Sequence, residues 1–423
     1  QYPRTTGVLH NPDRPSQVER FEPLAQVLRD NGYRTAAFGK RHLPPRLDIG
    51  WDVRYSHLSD EPSEELYRHW VEKRGQLTEF ERDWNAEFGY RLPGNQAAPM
   101  ACLLSQLRPE NTMEAFTANK TIEFIREMKD HDQPFFCWAS FYRPHQPYTP
   151  LPKYVDMYNL DKLKLPAGLY EPMEKLPPGL RGLRQNTGKP WCLALAAKDI
   201  NLYRMYIGYY YALVTEIDHH IGTILDVLER EGLADNTIVI YTSDHGDFVG
   251  AHGMIEKCAT GHNVYEDTLR VPLLLRWPGH IKRGLATDDL AQTIDLYPTL
   301  LDLAGIKSPG GYDMQGRSLR LLLTEGRPLN RRFIISENWS QITAIGKRYK
   351  LGIWLKPQEG YGDMLFDRQT DPLELNNLAG KSETAGVKKQ MRRWIQDFIE
   401  RVPFVAPLPK DKASWRHFGP DKT

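Results

Sequence analysis

Short apolar runs that stop abruptly in polar clusters constrain this chain more than any other feature. Residues 35–39 (TAAFG), 134–141 (PFFCWASF) and 237–242 (TIVIYT) are continuous rather than alternating, and each comes after an amphipathic helical stretch. A strand covered on both faces reads as a continuous apolar run, whereas a strand with one solvated face alternates. Helices between such strands supply the crossovers that parallel pairing requires. The expected fold class is therefore α/β, with a mostly parallel central sheet and helices on both faces.

The helical stretches carry their own stop signals. Residues 21–31 form one amphipathic helix, with Gly32 as its left-handed terminator. Residues 111–133 place Phe116, Ile122, Ile125 and Met128 on one face, and residues 201–232 do the same with Ile217, Ile221, Leu225 and Leu228 before Gly232. Residues 271–279 (VPLLLRWPG) read as a further buried strand. After about residue 326 the pattern changes to short alternating strands and a terminal helix over 388–402. This predicts a main domain over residues 1–328 and a small C-terminal α+β domain with an antiparallel sheet over 329–423. Residues 52–111 look irregular. Residues 151–190, rich in Pro and Gly, read as a long excursion over the surface that could wall a substrate.

The polar residues at the strand exits suggest chemistry. Lys40 and His42 come after the first run, His145 after the second, and Asp244 and His245 after the third. Ligands of open parallel sheets bind beyond the carboxyl ends of the strands, so separate segments are expected to deliver these side chains to one edge. An Asp beside a His suits a divalent cation, while Lys and His suit charge compensation and proton transfer at a tetrahedral anion. A solvated turn held by Gly246 and Gly250 is the plain alternative for residues 242–253, and a surface lysine for Lys257. His252 fits either a supporting role behind the site or a structural one. His219 and His220, within the long helix, read as structural or exposed. With a net charge of +1 over 423 residues, nothing points to nucleic acid. No apolar run approaches the ~18 residues of a membrane span. The four cysteines lack C-x-x-C spacing, which suggests neither a zinc cage nor a disulfide framework.

In order along the chain, "NGYRTAAFGKRHL", "FYRPHQPYTPLPKY", "YTSDHGDFVGAHG" with "EK" after it, "YEDTLRVPLLLRWPG", "TIDLYPTLLDLAGI", "MQGRSL" and "LFDRQTDPLELNNLA" resemble successive segments of the sulfatase family of the alkaline phosphatase superfamily. Arg41 stands where that family usually has Trp. The resemblance implies a sulfuric ester hydrolase, most simply one acting on a sulfated carbohydrate, and a periplasmic, secreted or lysosomal-type compartment. It also implies site residues. Asp244 and His245 would be metal ligands, usually for Ca²⁺, with Mg²⁺ or Mn²⁺ compatible with the same donors. Lys40 and His42 would flank the formylglycine nucleophile and the sulfate, and His145 and Lys257 would bind sulfate oxygens and assist the leaving alcohol.

The family's first strand, with two metal-binding Asp residues, and its Cys/Ser-x-Pro-x-Arg formylglycine signature would precede "QYPRTTGV", where this sequence opens. The nucleophile is accordingly expected in a segment outside these 423 residues, and the chain alone is expected to be inactive. Two alternatives stay open: a phosphodiester or phosphonate monoester hydrolase of the same superfamily, and a non-catalytic sugar-binding pseudoenzyme.

Overall fold

The computed structural model describes residues 1–8, 20–41, 43, 47–57, 63, 65–86, 102–176, 200–257, 264–338, 341–354 and 362–402. The chain gathers into two compact units. One, here the parallel-sheet unit, comprises Glu22–Leu165 and Thr187–Ile238; the other, the antiparallel-sheet unit, comprises Gln1–Phe21, Pro166–Asn186 and Val239–Thr423.

In the parallel-sheet unit, helix α1 (Leu24–Asp30) ends as its glycine predicts. Gly32 adopts φ +88°, Gly32 N–H reaches Arg29 O and Tyr33 N–H reaches Leu28 O, which satisfies the last helical carbonyls. The turn feeds β1 (Arg34–Gly39) into a sheet of order β3-β2-β1-β4, in which every pairing is parallel. Its neighbours are β2 (Val53–Ser56), β3 (Glu65–Leu66) and β4 (Phe135–Ser140). Paired on both sides, β1 buries Ala36, Ala37 and Phe38 almost completely. Among the described residues β4 lies at the edge of the sheet, and its Trp138 remains 46% exposed despite an equally apolar sequence.

Helix α4 (Met113–Met128) is capped by Thr112, whose Oγ1 accepts Ala115 N–H at 3.2 Å. Its Phe124 and Met128 pack on Ala36 and Phe38 of β1, each buried side chain contributing about 1.5–3 kcal/mol. The 31-residue helix α5 (Ile200–Arg230) packs against α4.

Two stretches differ from expectation. Residues 52–111 hold not only β2 and β3 but two helices, α2 (Tyr67–Glu72) and α3 (Leu77–Asn85). Their Tyr67, Trp70, Val71 and Phe80 form an aromatic cluster with Phe116 and Tyr142. Both helices are too short to show a clear period, so side chains from elsewhere in the chain stabilise them. The described part of the Pro-rich excursion is anchored rather than draped. Leu151, Tyr154 and Val155 are buried, and a Cβ at Gly208 of α5 would lie 2.1 Å from Leu160 Cδ2.

In the antiparallel-sheet unit, β5 (Val239–Thr242) pairs with β6 (Leu273–Arg276) antiparallel, not parallel as its apolar run suggested. Among the described residues between them the helices are single turns, including α6 (Glu266–Leu269), and none makes the crossover that parallel pairing needs. The C-terminal sheet comprises β7 (Phe333–Asn338), β8 (Gln341–Gly346), β9 (Tyr349–Trp354) and β10 (Met364–Asp367), antiparallel in the order β10-β9-β8-β7. Helix α7 (Ala385–Arg401) covers it with Met391, Ile395 and Phe398. The whole is α/β, with a parallel sheet in one unit and an antiparallel C-terminal sheet in the other.

Candidate active site

Lys40 and His145 leave adjoining strands. β1 and β4 pair in register up to Gly39 and Ser140, and Lys40 N–H donates to Ser140 O at 3.2 Å. Gly39 is required here: it adopts φ +93°, and a Cβ would sit 1.9 Å from Ser140 O. Lys40 Nζ lies 5.1 Å from the centre of the Tyr142 ring, a contact worth about 0.5–2 kcal/mol depending on solvation. The same ring lies 5.1 Å from the His145 imidazole. Tyr142 thus lies beside two of the groups expected at strand exits, which the structure places on adjoining strands.

The orientation of His145 is set locally. Its Nδ1 donates to Gln146 O at 2.8 Å, so in the neutral ring Nε2 carries the lone pair, and in the charged ring it carries the transferable proton. Arg143, buried, ties the surrounding loop together. Its guanidinium donates to His145 O at 3.3 Å, to Pro147 O, and to Thr149 Oγ1 at 2.7 Å. Sequence reading passed over Arg143; its position two residues before the histidine was the only available signal.

Arg41, the departure from the family's Trp, is buried and pairs with Asp48 through Nε at 2.7 Å. Its Nη1 donates to Tyr55 O at 3.4 Å. His57 was also missed. Burial depresses it to about 3, so it stays neutral, with Nε2 3.2 Å from Met113 O and 2.9 Å from Thr117 Oγ1. Its ring stacks edge-on to Tyr142, which supports the aromatic floor. His42 lies outside the described residues.

In the antiparallel-sheet unit, β5 runs out into Ser243, Asp244 and His245. Asp244 is 74% exposed at its side chain. Its Oδ1 accepts His245 N–H at 3.0 Å, and its Oδ2 lies 3.6 Å from His245 Nε2. His245 Nδ1 donates to Gly246 O at 2.7 Å. This leaves Nε2 as the basic nitrogen on the side of the carboxylate, the tautomer that a metal-ligating histidine needs. A carboxylate oxygen and an imidazole nitrogen side by side fit a divalent cation. Among the described residues no group of three or more His, Cys, Asp or Glu side chains is gathered to hold a metal. Lys257 Nζ lies 2.7 Å from Glu256 Oε1.

Asp247 Oδ1 accepts Val249 N–H at 2.9 Å. His252 is buried between Glu171 and Asp267. Gly246 is sterically obligatory, since a Cβ would lie 2.0 Å from Asp267 O.

Comparisons with known proteins bear on the family and the fold. A sulfatase family model matches residues 1–306, and a model of the N-sulphoglucosamine sulphohydrolase C-terminal region matches residues 250–401. The chain is 33% identical over 391 residues to an arylsulfatase of Clostridium perfringens, covering 85% of this chain and 74% of that protein. It is 27% identical over 340 residues to an N-acetylglucosamine-6-O-sulfatase of Bacteroides thetaiotaomicron, covering 66% of this chain and 60% of that protein's length. The structure of BT4656 in complex with its substrate D-glucosamine-2-N,6-O-disulfate superposes with a TM-score of 0.70 at 22% identity, over 97% of this chain and 88% of that one. A phosphonate monoester hydrolase from Silicibacter pomeroyi shares the fold at a TM-score of 0.76 and 21% identity, over 96% and 84% of the two chains. No helix among the described residues is long and apolar enough to cross a membrane. The chain belongs to the sulfatase family of the alkaline phosphatase superfamily.

Proposed function

We propose that this protein hydrolyses a sulfate ester carried by a carbohydrate, and that Lys40, His145, Lys257, Asp244 and His245 serve the reaction. The observation that carries the reading is the Lys40–Tyr142–His145 cluster at the ends of paired strands: an ammonium and an imidazole of fixed tautomer, positioned by one buried ring. The relatives that act on sulfated glucosamine derivatives favour a sugar as the carrier.

Lys40 offsets negative charge that builds on the sulfuryl oxygens. His145, with Nδ1 committed to Gln146 O, presents Nε2. The S–O bond to the sugar breaks and its electron pair stays on the sugar oxygen, which takes a proton from imidazolium Nε2. Lys257, by family resemblance, would bind a sulfate oxygen. His42, by family resemblance, flanks the same anion. Asp244 and His245 would hold the divalent cation, Ca²⁺ by family resemblance, which would offset charge on a bound sulfate, and the formylglycine implied by the family would supply the nucleophilic oxygen.

The test compares turnover of 6-O-sulfated N-acetylglucosamine, an aryl sulfate, an aryl phosphodiester and a phenylphosphonate monoester by the intact protein. Faster hydrolysis of the sulfates supports the reading. Preference for the phosphonate or phosphodiester would replace it with the other activity housed by this fold.

A further inference from the structure

His252 takes a backbone conformation that a side chain normally avoids. Its φ is +53°, and Val249, Gly250 and Gly253 nearby are also positive. A run of left-handed residues persists only where its surroundings fix it. The imidazole, in a residue 1% exposed, provides that fixation. Nδ1 lies 2.7 Å from Glu171 Oε2, and Nε2 lies 3.6 Å from Asp267 Oδ2. The ring packs on Tyr265, centroids 3.9 Å apart, with Phe248 edge-on.

Three separate stretches meet at this ring. Glu171 belongs to the segment whose Gly168 would place a Cβ 3.3 Å from His252 N. Asp267 and Tyr265 flank the start of α6, whose Thr268 O accepts Gly246 N–H at 2.9 Å. Only an imidazolium offers an N–H to a carboxylate on each side. We propose that His252 is a positioning residue: as an imidazolium bridging Glu171 and Asp267, it fixes loop 243–253, and with it Asp244 and His245, against residues 168–171 and α6.

The titratable groups facing the ring are Glu171 on one side and Asp267 and Tyr265 on the other; on its own loop the neighbour is Phe248. Burial alone would depress the imidazole, but the nearby Asp267 carboxylate and the hydrogen bond to Glu171 outweigh it and leave the group above its ordinary 6.5. A raised histidine lends stability that is complete below pH 6.5 and is lost as pH rises through the folded value. Protection of the loop should take the same course.

The activity readout rests on the hydrolase reading above; the structural readout does not. In the intact protein, His252→Gln keeps the size of the side chain but cannot donate to both carboxylates. Hydrogen exchange of amides 243–253 should accelerate about tenfold or more at pH 6, the equivalent of losing one charge-assisted contact. kcat should fall about tenfold with KM changed less than about twofold, because geometry and not ground-state affinity is lost. The wild-type decline in protection above pH 6.5 should disappear in the variant. Unchanged exchange and unchanged kcat at pH 6 would overturn the proposal. Asp267→Asn provides a second arm that leaves His252 in place: protection must be lost at a lower pH than in wild type, and an unshifted profile counts against the clamp. If the wild-type protein hydrolyses no sulfate ester, the functional reading fails, while the exchange measurements still decide the role of His252.

Discussion

Loops 142–149 and 243–253 both leave apolar strands and both carry proposed site residues, yet they are held in different ways. The first is tied by Arg143, whose guanidinium reaches acceptors within its own loop: His145 O, Pro147 O and Thr149 Oγ1. The second is tied by His252 to Glu171 and Asp267, 81 residues before it and 15 after it. A guanidinium keeps its charge at any physiological pH, whereas an imidazolium does not. One loop therefore carries a permanent, local pin, and the other a titratable, long-range one.

The largest effects should come from the side chains that these pins present. Asp244→Ala should abolish stoichiometric divalent metal in the purified intact protein, because Asp244 supplies the carboxylate beside His245. Elemental analysis that finds metal content unchanged would remove Asp244 from the metal site. His145→Ala and Lys257→Ala should each lower kcat by roughly 10²-fold, the scale of losing a proton donor or an oxyanion contact. Retention of wild-type kcat in both would detach the leaving-group chemistry from these residues.

The pins themselves should matter less than the groups they hold. Arg143→Lys keeps the charge but loses the fork that serves three acceptors. Leaving buried acceptors unsatisfied costs about 1–3 kcal/mol each, so denaturant melts should show a loss of that order. A misplaced His145 should lower kcat about tenfold while KM changes little. A variant as stable and as active as wild type would show that the loop holds its shape without Arg143.

The same contrast explains what could be read from sequence. Gly32, the run from Thr35 to Gly39 and the positions of Lys40 and His145 arise from local rules, namely helix termination, continuous burial and strand exit. Each was legible because its cause lies within a few residues. Arg143 was legible in principle for the same reason. The roles of His252 and Glu171 were not, because their partner lies across the chain and no period or spacing marks the pair. The direction of β6 escaped for a related reason: the apolar run at residues 271–279 reports burial, while pairing direction depends on the connection before it. Helices α2 and α3 depend on the aromatic cluster with Phe116 and Tyr142, again a remote cause.

The smallest predicted effect separates the two units by pH. In the parallel-sheet unit, Glu216 of α5 and Glu114 of α4 are both buried. Burial first, and then the charge of Glu114, push Glu216 from 4.5 up to about 8. A carboxyl whose folded value is raised favours folding while protonated. Its contribution is complete below pH 4.5 and is lost as pH rises through about 8. The His252 contribution in the other unit is complete below 6.5 and declines only above it. Between pH 4.5 and 6.5, protection of amides in α4 and α5 should therefore already be falling while that of loop 243–253 holds steady. Glu216→Gln, which cannot ionise, should reduce the response of α4 and α5, leaving the part due to Glu114, whose carboxyl burial also raises, and should leave the loop's decline above pH 6.5 untouched. Hydrogen exchange across this range, corrected for intrinsic rates, makes the comparison. If the loop loses protection first, or if Glu216→Gln leaves the helical slope as it was, these two groups do not set the pH response of their units.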